Sequence, residues 1–204
     1  AFVFSLTFVA IGLASFFHFY NDGSRTAWTY IITMDGRGYY AYLPAVFIHN
    51  DPTYQFHLVH NAQHDDNINF TNEVDEGKRV NKYFVGEAVL LTPFFLVAHV
   101  AAAVLGYKTN GYSIPYYIAV AFGAIFYVTI GLWLLSLFLA QQFRKHWVSI
   151  VVPLLVLLGS NLFYYAAYEP SMSHAYSFFL VCAFLFIGSK AVRKSTVINL
   201  IALG

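Results

Sequence analysis

The sequence predicts an all-α polytopic membrane protein, a bundle of transmembrane helices with a long first outer loop that carries short interfacial helices. Hydrophobic residues make up 59% of the 204 positions and charged residues only 10%, whereas about 25% of the residues in a soluble domain are charged. A helix needs about 20 apolar residues to cross a bilayer, and the chain contains several such stretches. We therefore expect a single transmembrane domain over residues 1–204 whose surface mostly faces lipid.

Five apolar stretches have the length of a membrane span, and a sixth begins near the end of the sequence. They are Ala1–Tyr20, Phe84–Gly106, Ile114–Ala140, Val148–Ala167 and Ala175–Val192, followed by the run that starts at Val197. The sequence begins without Met and stops within that last run, which is typical of a fragment of a longer polytopic protein.

The second stretch is predicted to enter the membrane only partly. An acidic residue at the centre of a span costs about 2.5 to 3.5 kcal/mol, Pro93 removes a backbone donor, and the stretch also contains Glu87 and His99. A segment that enters and returns, or lies along the membrane surface, avoids that cost. The alternative is a full span whose Glu87 and His99 face a polar interior.

Basic residues predict the orientation of the chain. They are concentrated in two loops, Arg144–His146 and Lys190–Lys194. Because Lys and Arg near spans tend to stay in the cytoplasm, both loops are predicted to be cytoplasmic. A partial second stretch then leaves the long loop, residues 21–83, in the periplasm. The inner membrane of a bacterium is favoured because no segment resembles an organelle-targeting sequence.

Charge and cysteine content exclude two classes of site. The formal net charge is +1 and no basic run carries interleaved aromatic residues, so nucleic acid is excluded as a partner. Cys182 is the single cysteine, so disulfides and cysteine-ligated metal sites are excluded within this sequence.

The long loop holds eight of the ten acidic residues, and a loop of this length is usually functional. Its apolar pieces, Tyr39–Ile48 and Phe56–Val59, are suited to short helices on the membrane surface. Asp35 precedes the first piece, next to Gly36 and Gly38, which allow close backbone approach. Two interpretations stay open: Asp35 caps the following helix, or it takes a proton from an acceptor hydroxyl as a general base.

The long loop also contains a group of histidines and aspartates that resembles a set of metal ligands. The group consists of His49, Asp51, His57, His60, His64, Asp65 and Asp66. Imidazole and carboxylate ligands suit zinc and other first-row ions. The intervening residues match no recognised ligand pattern, so a solvated loop is the favoured interpretation and a divalent metal is the alternative.

Four further ionisable residues are candidates for substrate binding. Arg79 and Lys82 lie just before the second stretch, where they either anchor the chain at phospholipid head groups or hold the phosphate of a lipid-linked substrate. Glu169 and His174 lie in the short loop between the fourth and fifth stretches. Helix ends explain the Pro and Ser of that loop but neither of these two, and ionisable groups at a membrane boundary are candidate functional residues.

The order of these features resembles the N-terminal half of the GT-C superfamily of membrane glycosyltransferases, in particular its branch of protein mannosyltransferases and aminoarabinose transferases. In that branch an acidic residue followed by Tyr and Ala opens the first periplasmic loop, and Asp35–Ala41 is similar. The family then has a Lys-Pro-Pro or His-Pro-Pro element, and Lys82–Val85 keeps the lysine without the prolines. The segment Met172–Phe179 resembles a later element, with His174 where a second acid is expected.

The resemblance implies an inverting transfer of a sugar from a polyprenyl-phosphate-linked donor to an acceptor at the outer face of the membrane. In this reaction Asp35 deprotonates the acceptor hydroxyl, Lys82 or Arg79 stabilises the departing phosphate, and Glu169 and His174 orient hydroxyl groups. The rings that stack on sugar are expected to be those of Tyr39, Tyr40, Tyr164 and Tyr165. The implied partners are the lipid-linked donor, membrane lipid and other membrane proteins, without a separate cofactor.

Two other functions stay open. A non-catalytic GT-C-like subunit of a larger complex keeps the helices without the chemistry, and the absent prolines and His174 favour it. A transporter of lipid or small solute would use Glu87 and His99 as an intramembrane proton relay.

Overall fold

The computed structural model describes residues 2–21, 27–56, 70–75, 78–143 and 145–193. Within these residues the chain is predominantly helical, and three helices are long and apolar enough to cross a membrane. The prediction of a helical membrane protein is therefore confirmed. The sixth apolar run, which starts at Val197, lies outside the described residues, as does the segment 57–69 of the long loop.

The helices are labelled in chain order. They are α1 (Phe2–Asn21), α2 (Asp35–Pro44), α3 (Gly86–Val104), α4 (Ile114–Gln142), α5 (Val148–Gly159), α6 (Leu162–Ala167) and α7 (His174–Arg193). A 3₁₀ turn covers Ala27–Ile31, and a π-helical turn over Ala45–His49 continues α2. The candidate spans are α3, α4 and His174–Val192 of α7, whereas Val3–Phe19 and Val148–Gly159 are shorter apolar helices.

The first short helix expected in the long loop is present. It was expected over Tyr39–Ile48, and α2 with its π-helical turn covers residues 35–49. The helix therefore begins earlier, at Asp35, and includes both glycines of the motif. Of the second expected piece, Phe56–Val59, the structure describes only Phe56.

The second apolar stretch does not turn back on itself, which corrects the expectation of a segment that enters the membrane and returns. α3 is one unbroken helix of 19 residues, about 28 Å long at a rise of 1.5 Å per residue. Pro93 lies inside it with an exposed side chain. Glu87 lies in the first turn, where the helix dipole favours negative charge, and not at the centre of a span. The length and hydropathy of α3 are those of a full span.

The fourth apolar stretch is divided into two helices, so the expected single span over Val148–Ala167 is wrong. α5 ends at Gly159 after 12 residues, and Ser160 is extended, with φ −128° and ψ 178°. The Ser160 hydroxyl donates to the Val156 carbonyl at 2.6 Å and accepts from the Leu162 amide at 3.3 Å. This one side chain thus satisfies a carbonyl at the end of α5 and an amide at the start of α6, as helix ends require.

The chain divides into two compact units, and the first comprises residues 1–18, 124–168 and 174–204. In this unit α4 and α7 approach closely at Gly131, where an added Cβ would lie 3.1 Å from the Cα of Phe179. The Tyr127 ring lies 4.9 Å from that of Phe179, and the Ser189 hydroxyl donates to the Gln141 side chain at 3.2 Å. A small residue at the contact thus allows two apolar helices to pack tightly.

The second unit comprises residues 19–123 and 169–173. In it α2 packs on α3, with the ring of Tyr40 5.9 Å from that of Phe95. A polar pair joins α3 to the first turn of α4, since Nδ1 of His99 and the Tyr116 hydroxyl are 2.6 Å apart. Polar groups inside a helix bundle are normally satisfied in this way by a neighbouring helix.

An antiparallel hairpin in the long loop was not predicted from the sequence. Its strands, β1 (Thr71–Asp75) and β2 (Lys78–Asn81), pair Thr71 with Asn81 and Glu73 with Arg79. A buried cluster joins the hairpin to the end of α2, and its members are Ala41, Ala45, Tyr54 and Phe70. The hairpin therefore fixes the residues that follow it, 82 and 83, relative to α2.

Glu87 gives a test of this packing. Its side chain is 5% exposed, and neither carboxylate oxygen has a hydrogen-bond partner among the described residues. Since burying an unpaired polar group is costly, we expect Glu87→Met, which keeps the length of the side chain, to raise the free energy of unfolding by about 1 to 3 kcal/mol. Thermal unfolding in detergent, followed by circular dichroism, measures the change.

The matched variant is Glu87→Lys, which buries a charge of the opposite sign at the same position and is expected to lower the unfolding midpoint. A midpoint for Glu87→Met below that of the parent would contradict the assignment of Glu87 as an unpaired buried group.

Candidate functional site

Asp35 opens α2, and its side chain is exposed. The cap position belongs to Met34, which makes no side-chain cap hydrogen bond and has a φ of 46°. A residue with a Cβ rarely adopts this left-handed conformation, which costs about 1 to 3 kcal/mol. Of the two interpretations of Asp35, the helix cap is therefore wrong, and its carboxylate is engaged elsewhere.

The partner of Asp35 is Tyr83, which follows the hairpin. The Tyr83 hydroxyl donates a hydrogen bond to Oδ1 of Asp35 at 2.6 Å, a distance typical of a hydroxyl bound to a carboxylate. To reach Asp35 the ring crosses α2 at Gly38, where an added Cβ would overlap the ring. The ring of Tyr39 lies 4.8 Å from that of Tyr83. The site thus combines a carboxylate with two aromatic rings.

The backbone around Tyr83 is tied to α2 by two hydrogen bonds, and a third lies within the segment itself. The Tyr42 hydroxyl donates to the carbonyl of Tyr83 at 2.6 Å. The Asn81 amide group donates to the carbonyl of Gly38 at 2.7 Å and accepts from the backbone N–H of Tyr83 at 3.0 Å. Because both faces of the peptide segment 81–83 are held, the position of the Tyr83 ring follows from the backbone.

The hydrogen bond to Asp35 raises the pKa of Tyr83 to about 12, with further contributions from burial and from the charges of Asp35 and Tyr39. The unperturbed value is about 10. The phenol therefore keeps its proton and remains a donor throughout the physiological pH range.

A second tight contact brings the loop 169–173 to the start of α2. An added Cβ at Gly36 would overlap Ser171, including its backbone carbonyl, and Ser171 is 2% exposed. Glu169, two residues before Ser171, is half-buried in the same unit as Asp35. The structure thus brings the segment that carries Glu169 to the turn that carries Asp35.

The two candidate phosphate-binding residues lie at the hairpin. Lys82 is exposed and its backbone N–H donates to the carbonyl of Phe70 at 3.0 Å, so its main chain is fixed next to Tyr83. Arg79 is half-buried and stands opposite Glu73 in the hairpin register. Lys82 is thus the cation adjacent in sequence to the residue that binds Asp35.

His174 belongs to the other unit. It is the first residue of α7 and stacks flat on Tyr165, with ring centroids 3.9 Å apart and an interplanar angle of 3°. Both rings line a cavity of about 300 Å³, together with Ser160 and Asn161. Tyr164 is exposed. The residues expected to form one site are therefore divided between the two units.

Tyr40 differs from its expected role as a sugar-stacking ring. It is 1% exposed, and its hydroxyl donates to the carbonyl of Gly111 at 2.6 Å. Burial is the main reason why its pKa lies well above the usual range. With no open face, Tyr40 packs the interior of the unit, and Tyr39 is the residue of the pair that faces the site.

The described part of the proposed metal group has other contacts. His49 stacks on Phe56 at 4.4 Å, and Asp51 accepts hydrogen bonds from the hydroxyl and backbone N–H of Thr53 and from the backbone N–H of Phe56. Burial raises the pKa of Asp51, but these hydrogen bonds outweigh it and the net pKa is lowered. Within the described residues no group of three or more candidate ligands converges. The other members of the group lie outside those residues.

Glu87 and His99, the two residues of the transporter alternative, are far apart. They are separated by 12 residues within the single helix α3, which corresponds to about 18 Å along the helix axis. His99 is paired with Tyr116 at 2.6 Å. A direct proton transfer between the two is therefore excluded in this conformation.

The residue that the sequence analysis missed is Tyr83. The sequence does not single it out, since nothing in a local pattern pairs residues 48 positions apart. The available signal was the spacing of Gly36 and Gly38, which marks two close approaches on one helix but does not name what approaches.

The Tyr83–Asp35 pair predicts an alkaline titration. Since the pKa of Tyr83 in the folded state, about 12, exceeds the unfolded value of about 10, the pair stabilises the fold below pH 10, and the contribution is lost as the pH rises through 12. Asp35→Asn removes the charge of the acceptor, so we expect the pKa of Tyr83 to fall. Ultraviolet difference titration of each protein against its Tyr83→Phe counterpart isolates this one phenol. An unchanged pKa in Asp35→Asn would contradict the pairing.

Comparison with known proteins gives no match to the chain: no protein-family model, no curated protein and no solved structure matches it. The resemblance to the GT-C superfamily therefore rests on the motifs of the sequence. The function has to be argued from the residues around Asp35.

Proposed function

We propose that the protein transfers a sugar from a polyprenyl-phosphate-linked donor to an acceptor hydroxyl at the outer face of the membrane, as a member of the GT-C superfamily. The observation that carries the proposal is the arrangement of Asp35. Its side chain is exposed at the start of α2, one oxygen is held by Tyr83, and the other accepts no hydrogen bond within the described residues. A carboxylate in this state is available to take a proton.

The reaction uses these groups in a defined way. The acceptor oxygen forms a bond to the anomeric carbon while its proton passes to the free oxygen of Asp35. The bond from the anomeric carbon to the phosphate oxygen breaks, and the polyprenyl phosphate leaves with the electron pair. Lys82, which is exposed beside Tyr83, stabilises the charge that builds up on the phosphate. Arg79, on the same hairpin, supplies a second cation.

The neighbouring groups support the binding of a sugar. Tyr39, whose ring centroid lies 4.8 Å from that of the Tyr83 that binds Asp35, offers an aromatic face of the kind that stacks on the apolar faces of sugars. Glu169, on the loop seated at Gly36, supplies an acceptor for sugar hydroxyls. His174 lies in the other unit, so the proposal gives it no role at Asp35.

Asp35→Asn tests the catalytic assignment. The amide keeps an acceptor for the Tyr83 hydroxyl, so the fold is retained, but it cannot take a proton. We expect sugar transfer to fall by about 10² to 10⁴. The assay follows release of polyprenyl phosphate from radiolabelled undecaprenyl-phosphate mannose and undecaprenyl-phosphate glucose by purified protein in lipid nanodiscs, with membrane extract as the source of acceptor. Asn72→Ala, at an exposed residue of the hairpin, is the control and keeps full activity. Parent activity in Asp35→Asn would favour a non-catalytic subunit.

The side of the membrane that carries the site is tested separately. A full crossing by α3 and the return of α4 would put residues 21–83 on the same side as the basic residues of 143–147. The proposal needs residues 21–83 at the outer face, and the basic residues are expected in the cytoplasm, so the two requirements hold together only if α3 does not cross completely. In a Cys182→Ala background, single cysteines replace the exposed residues Asn72 and Lys145. We expect a membrane-impermeant maleimide to label position 72 in intact cells and position 145 only after permeabilisation. Labelling of position 72 only after permeabilisation would contradict an outer site.

A further inference from the structure

We propose that Tyr83 is the positioning residue for Asp35, and that the absence of a side chain at Gly38 is what allows its ring to reach the carboxylate. The inference rests on the proposed function, in which Asp35 takes the acceptor proton. Local sequence patterns do not indicate this role. Tyr83 orients the base and does not contact the proton that is transferred from the acceptor to Asp35.

Asp35 has a short side chain that is exposed at the start of α2. An exposed aspartate at the first turn of a helix samples several rotamers, and only some of them aim a free lone pair at a substrate. The hydrogen bond from Tyr83 to Oδ1, at 2.6 Å, selects one orientation. Oδ2 is left open, and it is the oxygen that receives the proton.

The backbone of Tyr83 is held in place by hydrogen bonds. Its carbonyl accepts from the Tyr42 hydroxyl and its N–H donates to Asn81, whose side chain also binds the carbonyl of Gly38. The ring lies on the Cβ-free surface of Gly38. The hydroxyl is thus fixed by backbone contacts to the same helix that carries Asp35, and a short rigid path connects the two residues.

The hydroxyl of Tyr83 positions Asp35, whereas other groups support the structure of the segment. The hydrogen bond between Tyr83 and Asp35 lies at an exposed position, so its loss leaves the contacts between this segment and α2 intact. The hydrogen bonds that fasten the segment to α2 involve the backbone of Tyr83 and the side chains of Tyr42 and Asn81. Removing the Tyr83 hydroxyl therefore leaves the scaffold in place and frees only the carboxylate.

Asp35 alone receives the proton that leaves the acceptor. During the reaction the acceptor proton moves to Oδ2 of Asp35, and the phenol retains its own proton on the Oδ1 side. When the products leave, Asp35 returns its proton to water. Tyr83 neither gains nor loses a proton, so its effect appears in the rate of the chemical step and not in the affinity for the donor.

The experiment compares Tyr83→Phe, Gly38→Ala and the double variant with the parent in the nanodisc assay with undecaprenyl-phosphate mannose and undecaprenyl-phosphate glucose. Misplacing a catalytic group by about 1 Å costs up to 10²-fold in rate. We expect Tyr83→Phe to lower kcat by about tenfold to 10²-fold with KM for the donor within about twofold, and the double variant to lose no more than the larger single effect, because both changes break one link. Tyr30→Phe, which removes an exposed phenol elsewhere in the unit, keeps parent kinetics.

The outcomes distinguish this inference from the proposed function. Parent kcat in Tyr83→Phe together with an inactive Asp35→Asn overturns the role of Tyr83 and leaves sugar transfer intact. A raised KM with unchanged kcat in Tyr83→Phe also overturns it, since the hydroxyl would then contribute to substrate binding and not to the orientation of Asp35. Parent activity in Asp35→Asn, or no transfer by the parent with either donor, overturns both. Tyr83→Phe remains informative if Gly38→Ala fails to fold, which thermal unfolding reports.

Discussion

The arrangement of the site depends on the absence of side chains at two positions of α2. Gly36 accepts Ser171 and Gly38 accepts the ring of Tyr83, and a Cβ at either position would overlap its neighbour. Both contacts lie within one turn of Asp35. A helix that met its neighbours only through side chains would hold them several ångströms further away, beyond hydrogen-bond reach of a short aspartate. Close backbone approach is therefore what brings distant segments of the chain to one carboxylate.

Polar groups in the apolar helices follow a different logic. His99 and Tyr116 satisfy each other across α3 and α4, and Thr92 and Thr129 return their hydroxyls to carbonyls one turn earlier in their own helices. In lipid these are the available ways of satisfying a hydroxyl or an imidazole without water. Glu87 is the exception among the described residues, because its carboxylate is buried without a hydrogen-bond partner. Polar groups in the helices are thus satisfied within one helix or by a neighbouring helix, as Ser189 is by Gln141, whereas the hydrogen bonds at Asp35 join a helix to the hairpin.

The helical membrane fold was predictable from the sequence because apolar length is a local property. The short helix after Asp35 was also predictable, and its start was misplaced since Gly36 and Gly38 have weak helix propensity. The break at Ser160 was missed because mean hydropathy does not register one hydroxyl that caps two helices. The hairpin escaped notice because its strands are short and mostly polar. Asp35 was identified as a candidate, but its partner was not, because pairing across 48 residues depends on tertiary packing. Tyr40 and Tyr39 are adjacent in sequence and similar in chemistry, and only the packing of α2 on α3 distinguishes the buried ring from the one at the site.

The contact between Gly36 and Ser171 has a consequence for biosynthesis. Ser171 lies 135 residues after Gly36, and a ribosome adds about 5 to 20 residues per second. The surface of Gly36 that Ser171 covers therefore has no partner for roughly 7 to 27 seconds after Gly36 is synthesised, while the intervening helices are inserted into the membrane. The hairpin and Tyr83 are complete much earlier, so the carboxylate and its phenol assemble first and the loop with Glu169 docks last. Synthesis from the N-terminus thus imposes an order of assembly, in which an unfinished chain already contains Asp35 and Tyr83 but lacks the loop that carries Glu169.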